Sequence, residues 1–192
     1  MLAEADHWDP VTRDAILERA RSVPPVRFFT AVEERCLRAF LDVLFAQDSE
    51  PRVPVFEMVD SKLHQGKLDG FQYDDMPDDR NTWRLVARGL DEAAGEGGFA
   101  ALDDGARKAI VSRFADSDLS GSAWEELNVS RAWSVVTRGA LSEFYSHPWA
   151  WNEIGFGGPA YPRGYMRLHA GPGGREPYEA QEAFDLDPVE EA

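Results

Sequence analysis

Residues 30–47 read TAVEERCLRAFLDVLFAQ, and this stretch decides the fold class. Thr30 followed by Glu33 makes a capping box. The hydroxyl accepts the Glu33 amide, and the Glu33 carboxylate reaches back to the Thr30 amide. Behind it, Leu37, Phe40, Leu41, Leu44 and Phe45 follow the i, i+3, i+4, i+7, i+8 rule, which lays them along one helical stripe. The helix is expected to end near Gln47, before the polar DSEPR. Cys36 sits inside the apolar pattern and reads as a packing residue.

Working downstream, Pro54 opens a second helix, with Val55, Phe56, Val59 and Leu63 inward and Gly66 as its C-cap. Residues 67–80, KLDGFQYDDMPDDR, form a loop in which Asp74, Asp75, Asp78 and Asp79 crowd around Met76-Pro77. Carboxylate oxygens suit hard cations. No loop spacing fixes a coordination geometry, so a solvated acidic loop is the simpler reading. A third helix covers about Asn81 to Ala94 and buries Trp83, Val86, Ala87 and Leu90; GEGG at 95–98 breaks it. A fourth follows Asp103, with Ala106, Ile110 and Phe114 at i, i+4, i+8. Asp116, Asp118, Ser120 and Gly121 match the early positions of a calcium loop, but its twelfth position holds Leu127 where a glutamate is needed. Ser122 with Glu125 explains the same residues as a capping box. It would open a last helix to about Tyr145, burying Val129, Ala132, Trp133, Val136, Ala140 and Phe144.

Upstream, Asp9 before Pro10 is an N-cap with proline in the first turn. That helix is expected to reach Ser22, ahead of Pro24-Pro25, with a sparse apolar face of Val11, Ala15 and Ile16. No segment alternates apolar and polar residues for long, so no sheet is expected. The reading is all-α: an irregular bundle of five or six helices. Residues 1–29 form an arm, 30–168 the helical domain, and 169–192 an acidic tail rich in Gly and Pro.

Residues 144–165, FYSHPWAWNEIGFGGPAYPRGY, stand apart. Pro148, Pro159 and Pro162 stop helix propagation, and Gly155, Gly157, Gly158 and Gly164 allow positive φ. An ordered, irregular aromatic loop is expected. In an extended segment His147, Trp149, Trp151 and Glu153 would point the same way. Trp and Tyr dominate interface hot spots. Tyr145, His147, Trp149, Trp151, Asn152, Phe156 and Tyr161 are therefore the candidate partner contacts; otherwise the rings plug the protein's own core. His147 is also the one candidate for acid–base chemistry, although such a ring more often caps a helix end through its carbonyls.

Net charge of -15 and a pI near 4.6 exclude nucleic acid and anionic membrane as partners, since both select basic surface. No apolar run approaches the roughly 20 residues that span a bilayer. A single cysteine excludes an internal disulfide and fits a reducing cytoplasm. The four histidines make no zinc-ligand spacing with Cys, Asp or Glu. Dinucleotide, nucleophile-elbow and phosphate-loop motifs are missing. A helical chain of this kind reads as a binding or accessory protein, with no catalytic, cofactor-binding or metal residue of its own.

The order of segments carries more. RFFTAVEERCLRAFLDVLF, PRVPVFEMVDSKL, WRLVARGLDEAA and FAALDDGARKAIV precede FYSHPWAWNEIGFGGPAYPRGY. Together they resemble the gluconate 2-dehydrogenase subunit 3 family over about Phe28 to Leu168, most specifically around His147-Pro148 and Trp151–Pro159. The resemblance implies an all-α small subunit, not catalytic alone, that binds a larger FAD-dependent oxidoreductase of the glucose–methanol–choline type. The flavin and the chemistry on sugars, sugar acids or related alcohols belong to the large subunit. The small one matures and stabilises it, and in many members carries a twin-arginine export signal. Arg19 and Arg21 are not consecutive and no apolar stretch follows them. A cytoplasmic heteromeric complex is expected on that departure. The alternative is a free-standing helical enzyme or metal-binding protein using the acidic loop 74–79 or His147.

Overall fold

The computed structural model describes residues 5–6, 8–47, 50, 52–67 and 70–159. Among them the chain forms seven α-helices and no strand. By contact it divides into two units. One comprises residues 24–50 and 54–143; the other comprises 1–23, 51–53 and 144 onward.

The larger unit is built around α2 (Ala31–Phe45), and the capping box at its start is formed as the sequence dictates. Thr30 Oγ1 accepts the Glu33 amide while Glu33 Oε2 accepts the Thr30 amide at 2.8 Å. Cys36, Leu37, Phe40 and Leu41 are buried along its inner face. Each large apolar side chain so buried stabilises the fold by about 1.5–3 kcal/mol. Ala46 ends the helix in the left-handed conformation. Around α2 pack α3 (Val55–Gln65), α4 (Asp79–Ala94), α5 (Asp104–Ala115) and a 3-10 turn at Phe99–Ala101. Gly66 caps α3 at positive φ, Asp78 caps α4 and Asp103 caps α5.

Two aromatic groups fill this unit. Phe114 lies 5.0 Å from Trp124, 5.1 Å from Trp133 and 6.2 Å from Phe40, ring centre to ring centre. Phe29 lies 5.6 Å from Phe56 and 6.4 Å from Trp83. Asp60 is fully buried beside the second group. Its carboxylate accepts the backbone N–H groups of Arg27, Phe28 and Phe29 and so fixes the chain entering α2. Cys36 donates to the Ala87 carbonyl at 3.3 Å, and burial, with Asp91 nearby, pushes its thiol far above the ordinary range. It is a packing residue, as expected.

The acidic loop is tied internally. Asp74 and Asp75 pair with Arg131, and Asp78 accepts the Asn81 amide at 3.0 Å. No group of three or more His, Cys, Asp or Glu able to hold a metal ion occurs among the described residues. Among them, too, no helix is long and apolar enough to cross a membrane.

The last long helix corrects the sequence reading. Ser122 and Glu125 do not form a capping box. Ser122 Oγ donates to Glu92 at 2.7 Å, and the Ala123 amide donates to the same carboxylate. Trp124–Glu126 is a 3-10 turn whose tryptophan tucks under α4, its Nε1 donating to the Gly89 carbonyl at 3.2 Å. Leu127 is extended, and α6 (Val129–Ser146) begins only there, with Asn128 Oδ1 accepting the Arg131 amide. A distant carboxylate outcompeted the local one. Ala132, Val136, Ala140 and Phe144 are buried as expected; Val129 and Trp133 are only partly so.

Candidate functional site

The smaller unit holds most of the residues singled out as partner contacts. Its first helix, α1 (Pro10–Arg21), is capped by Asp9, whose side chain accepts the Val11 and Thr12 amides. The Thr12 hydroxyl first, with the Thr12 and Val11 amides adding to it, holds the Asp9 carboxyl below its usual range against the opposing effect of desolvation.

Residues 144–153 of the aromatic stretch are not the irregular loop the breakers imply, whereas 154–159 are irregular as expected. Pro148–Glu153 forms a six-residue helix, α7. Proline at the first helical position lacks only an N–H that would have no partner there, and its fixed φ suits the turn. The residue before it must be extended, and an N-cap is extended. His147 meets both demands at φ −87°, ψ 137°, and its Nδ1 accepts the Trp149 amide at 3.2 Å. The ring therefore caps a helix start, not the carbonyls of a helix end. An Nδ1 that accepts this amide carries no proton, and His147 serves the backbone. Glycine confines the helix to its far side, with Gly155 at φ +68°.

Helical geometry also overturns the alternation. Trp149 and Trp151 are two residues apart on a helix, which sends them to different sides. Both are buried, as are His147 and Asn152. Trp151 Nε1 donates to the Tyr145 carbonyl at 2.6 Å, and its own carbonyl accepts the Phe156 amide at 2.8 Å. The Phe156 ring meets Trp151 edge-on, 5.6 Å away at 90°. Tyr145 and Phe156 are 48% and 44% exposed, and Ile154 beside them 57%. Tyr161 and the tail 169–192 lie outside the described residues.

The long-range contacts of this unit escaped the sequence reading. Trp8 and Ile16 form a buried cluster with Trp151. Gly158, at φ +86°, lies so close to Trp8 that an added Cβ would stand 2.5 Å from its Cζ2. Arg19 donates to the Ser146 carbonyl at 3.0 Å, a cation at the end of α6. The signals were present as a lone Trp8 ahead of the Asp9 cap and a Gly-Gly pair before Pro159, but nothing local couples residues so far apart in sequence. Trp8 Nε1 is buried with no hydrogen-bond partner among the described residues. Such a group costs about 1–3 kcal/mol.

The larger unit offers a concave surface, a groove of about 840 Å³ lined by Val32, Leu85, Ala87, Arg84, Arg88 and Glu126. Its cations are answered by its own acids: Arg84 pairs with Glu33, and Arg88 with Glu92 and Glu126. What the smaller unit presents is different in kind: a short helix locked from within and flanked in sequence by the exposed Tyr145, Ile154 and Phe156.

A family model described as gluconate 2-dehydrogenase subunit 3 matches residues 31–158, well over half of the chain. No curated protein and no solved structure matches.

Proposed function

Because the chain belongs to the gluconate 2-dehydrogenase subunit 3 family, we propose that it is the non-catalytic small subunit of a larger FAD-dependent oxidoreductase acting on sugars, sugar acids or related alcohols. It binds and stabilises that subunit, which holds the flavin. The observation that carries this reading is the family match, which spans the helical unit and ends at residue 158, within the aromatic stretch. The exposed Tyr145, Ile154 and Phe156 are the direct contacts. The buried His147, Trp149, Trp151 and Asn152 hold them in place, and the acidic chain favours a partner face with basic groups at its rim.

Co-purification from the native host, with mass spectrometry and a flavin absorbance spectrum, tests the reading. A flavoprotein dehydrogenase is expected in stoichiometric amount. Ile154→Asp with Phe156→Asp should lower the stability of the isolated chain only by what the edge-on Phe156–Trp151 contact contributes, roughly 0.5–1.5 kcal/mol, because Ile154 already faces water. The pair should weaken the complex by about 30- to 1,000-fold, the range for losing an anchor worth roughly 2–4 kcal/mol. A chain that purifies alone, or a double variant that still binds at wild-type strength, refutes it.

A further inference from the structure

Helix α1 is attached by little. Of its 12 residues only Ile16 is buried, and Val11 is 78% exposed. The cluster that holds it is Trp8, Ile16 and Trp151, with Ala5 packed at the edge, and Arg19 adds one hydrogen bond at the Ser146 carbonyl. Few buried apolar contacts mark an element that opens below the free energy of global unfolding.

Two features set the closed state against itself. Trp8 is 6% exposed, and its Nε1–H has no acceptor among the described residues. That N–H gives up water on closing and regains it on opening. The Trp8 ring also sits where a side chain on residue 158 would stand, so it can be seated only over a glycine, and that glycine is held at φ +86°. Burying Trp8 and Ile16 favours closure, while the unpaired donor and the entropy lost in fixing a glycine oppose it.

We propose that α1, led by Trp8, is a clasp over α7 that opens as one piece while the other helices stay folded, with Gly158 as its seat. Opening bares the Trp151 ring next to the exposed Phe156 and so enlarges the aromatic face of this unit. A 12-residue helix detached from its support is marginal in water, so the open clasp also loses its helix. The inference concerns this chain alone and stands whether or not the proposed partner exists.

Hydrogen exchange of the full chain, read by mass spectrometry, tests it. Amides of 11–21 should exchange together and at least tenfold faster than the core amides of α2. Gly158→Ala should speed α1 by a further tenfold or more and leave α2 and α4 as they were. Trp8→Ala should accelerate the same segment, which guards against a Gly158 variant that relaxes without releasing the ring. Exchange of α1 only at the global rate overturns the clasp. So does a Gly158→Ala variant that speeds every helix alike, or variants that both leave α1 unchanged.

Discussion

Replacing Asp60 by alanine should cost about 3–6 kcal/mol of folding stability, and the figure follows from three hydrogen bonds. Oδ2 accepts the Phe28 and Phe29 amides, each at 2.9 Å, and Oδ1 accepts the Arg27 amide at 2.7 Å. Alanine strands the amides of Phe28 and Phe29 in buried surroundings at about 1–3 kcal/mol each. The Arg27 amide is only part-buried and reaches water more cheaply. A charge-assisted bond contributes more than a neutral one, but removing a buried charge returns part of its desolvation cost. The balance is a large share of the 5–15 kcal/mol that holds a typical domain. At roughly 2–4 °C per kcal/mol for a chain of this size, the melting temperature falls by at least about 6 °C. Asp60→Asn should fall between alanine and the wild type, since one oxygen can still serve two amides while the new NH₂ faces the third. Urea denaturation followed by circular dichroism reads the difference. An Asp60→Ala protein within about 1 kcal/mol of the wild type would show that these amides find other partners, and the reasoning would fail.

Gly89→Ala should destabilise by about 1–3 kcal/mol although alanine is the better helix former by up to about 1 kcal/mol, because the new Cβ would lie 2.4 Å from Trp124 Cε2; denaturant melts compare the two. The Asp9 carboxyl is lowered from 3.8, so its capping of α1 is fully present above that pH and is lost as pH falls through the lowered value. An NMR titration of the Val11 and Thr12 amides should show that acid transition, and Asp9→Ala should abolish it.

Much of the larger unit was legible because its instructions are local. Thr30 and Glu33 are three residues apart, Asp103 caps the amide of Ala106, and Gly66 ends α3 in the one conformation that glycine adopts freely. Each could be read within one turn of helix. Asp60 could not. In sequence it is a lone acid one turn after Phe56, at the margin of the apolar face, and its three amides come from residues 31 to 33 positions away. The Ser122 error has the same origin. Ser122 and Glu125 satisfy the capping pattern, but Glu92, 30 residues upstream, takes the hydroxyl instead.

The aromatic stretch failed for a different reason: its breakers were weighed by type when position decides what they do. Proline inside a helix costs roughly 3 kcal/mol, yet at the first position it is among the favoured residues. Read that way, His147-Pro148 is a start signal and Gly155 a stop, and the residues between are just enough for α7. The change of period carries the functional consequence. An extended strand would have offered Trp149 and Trp151 side by side to a partner. A helix with Trp8 packed on Trp151 withdraws both indoles and leaves Tyr145, Ile154 and Phe156 outside. Trp151 links what is hidden to what is shown: its indole N–H holds the carbonyl of Tyr145, and its ring backs Phe156. Losing Trp151 therefore disturbs the exposed face even though Trp151 does not itself stand on it.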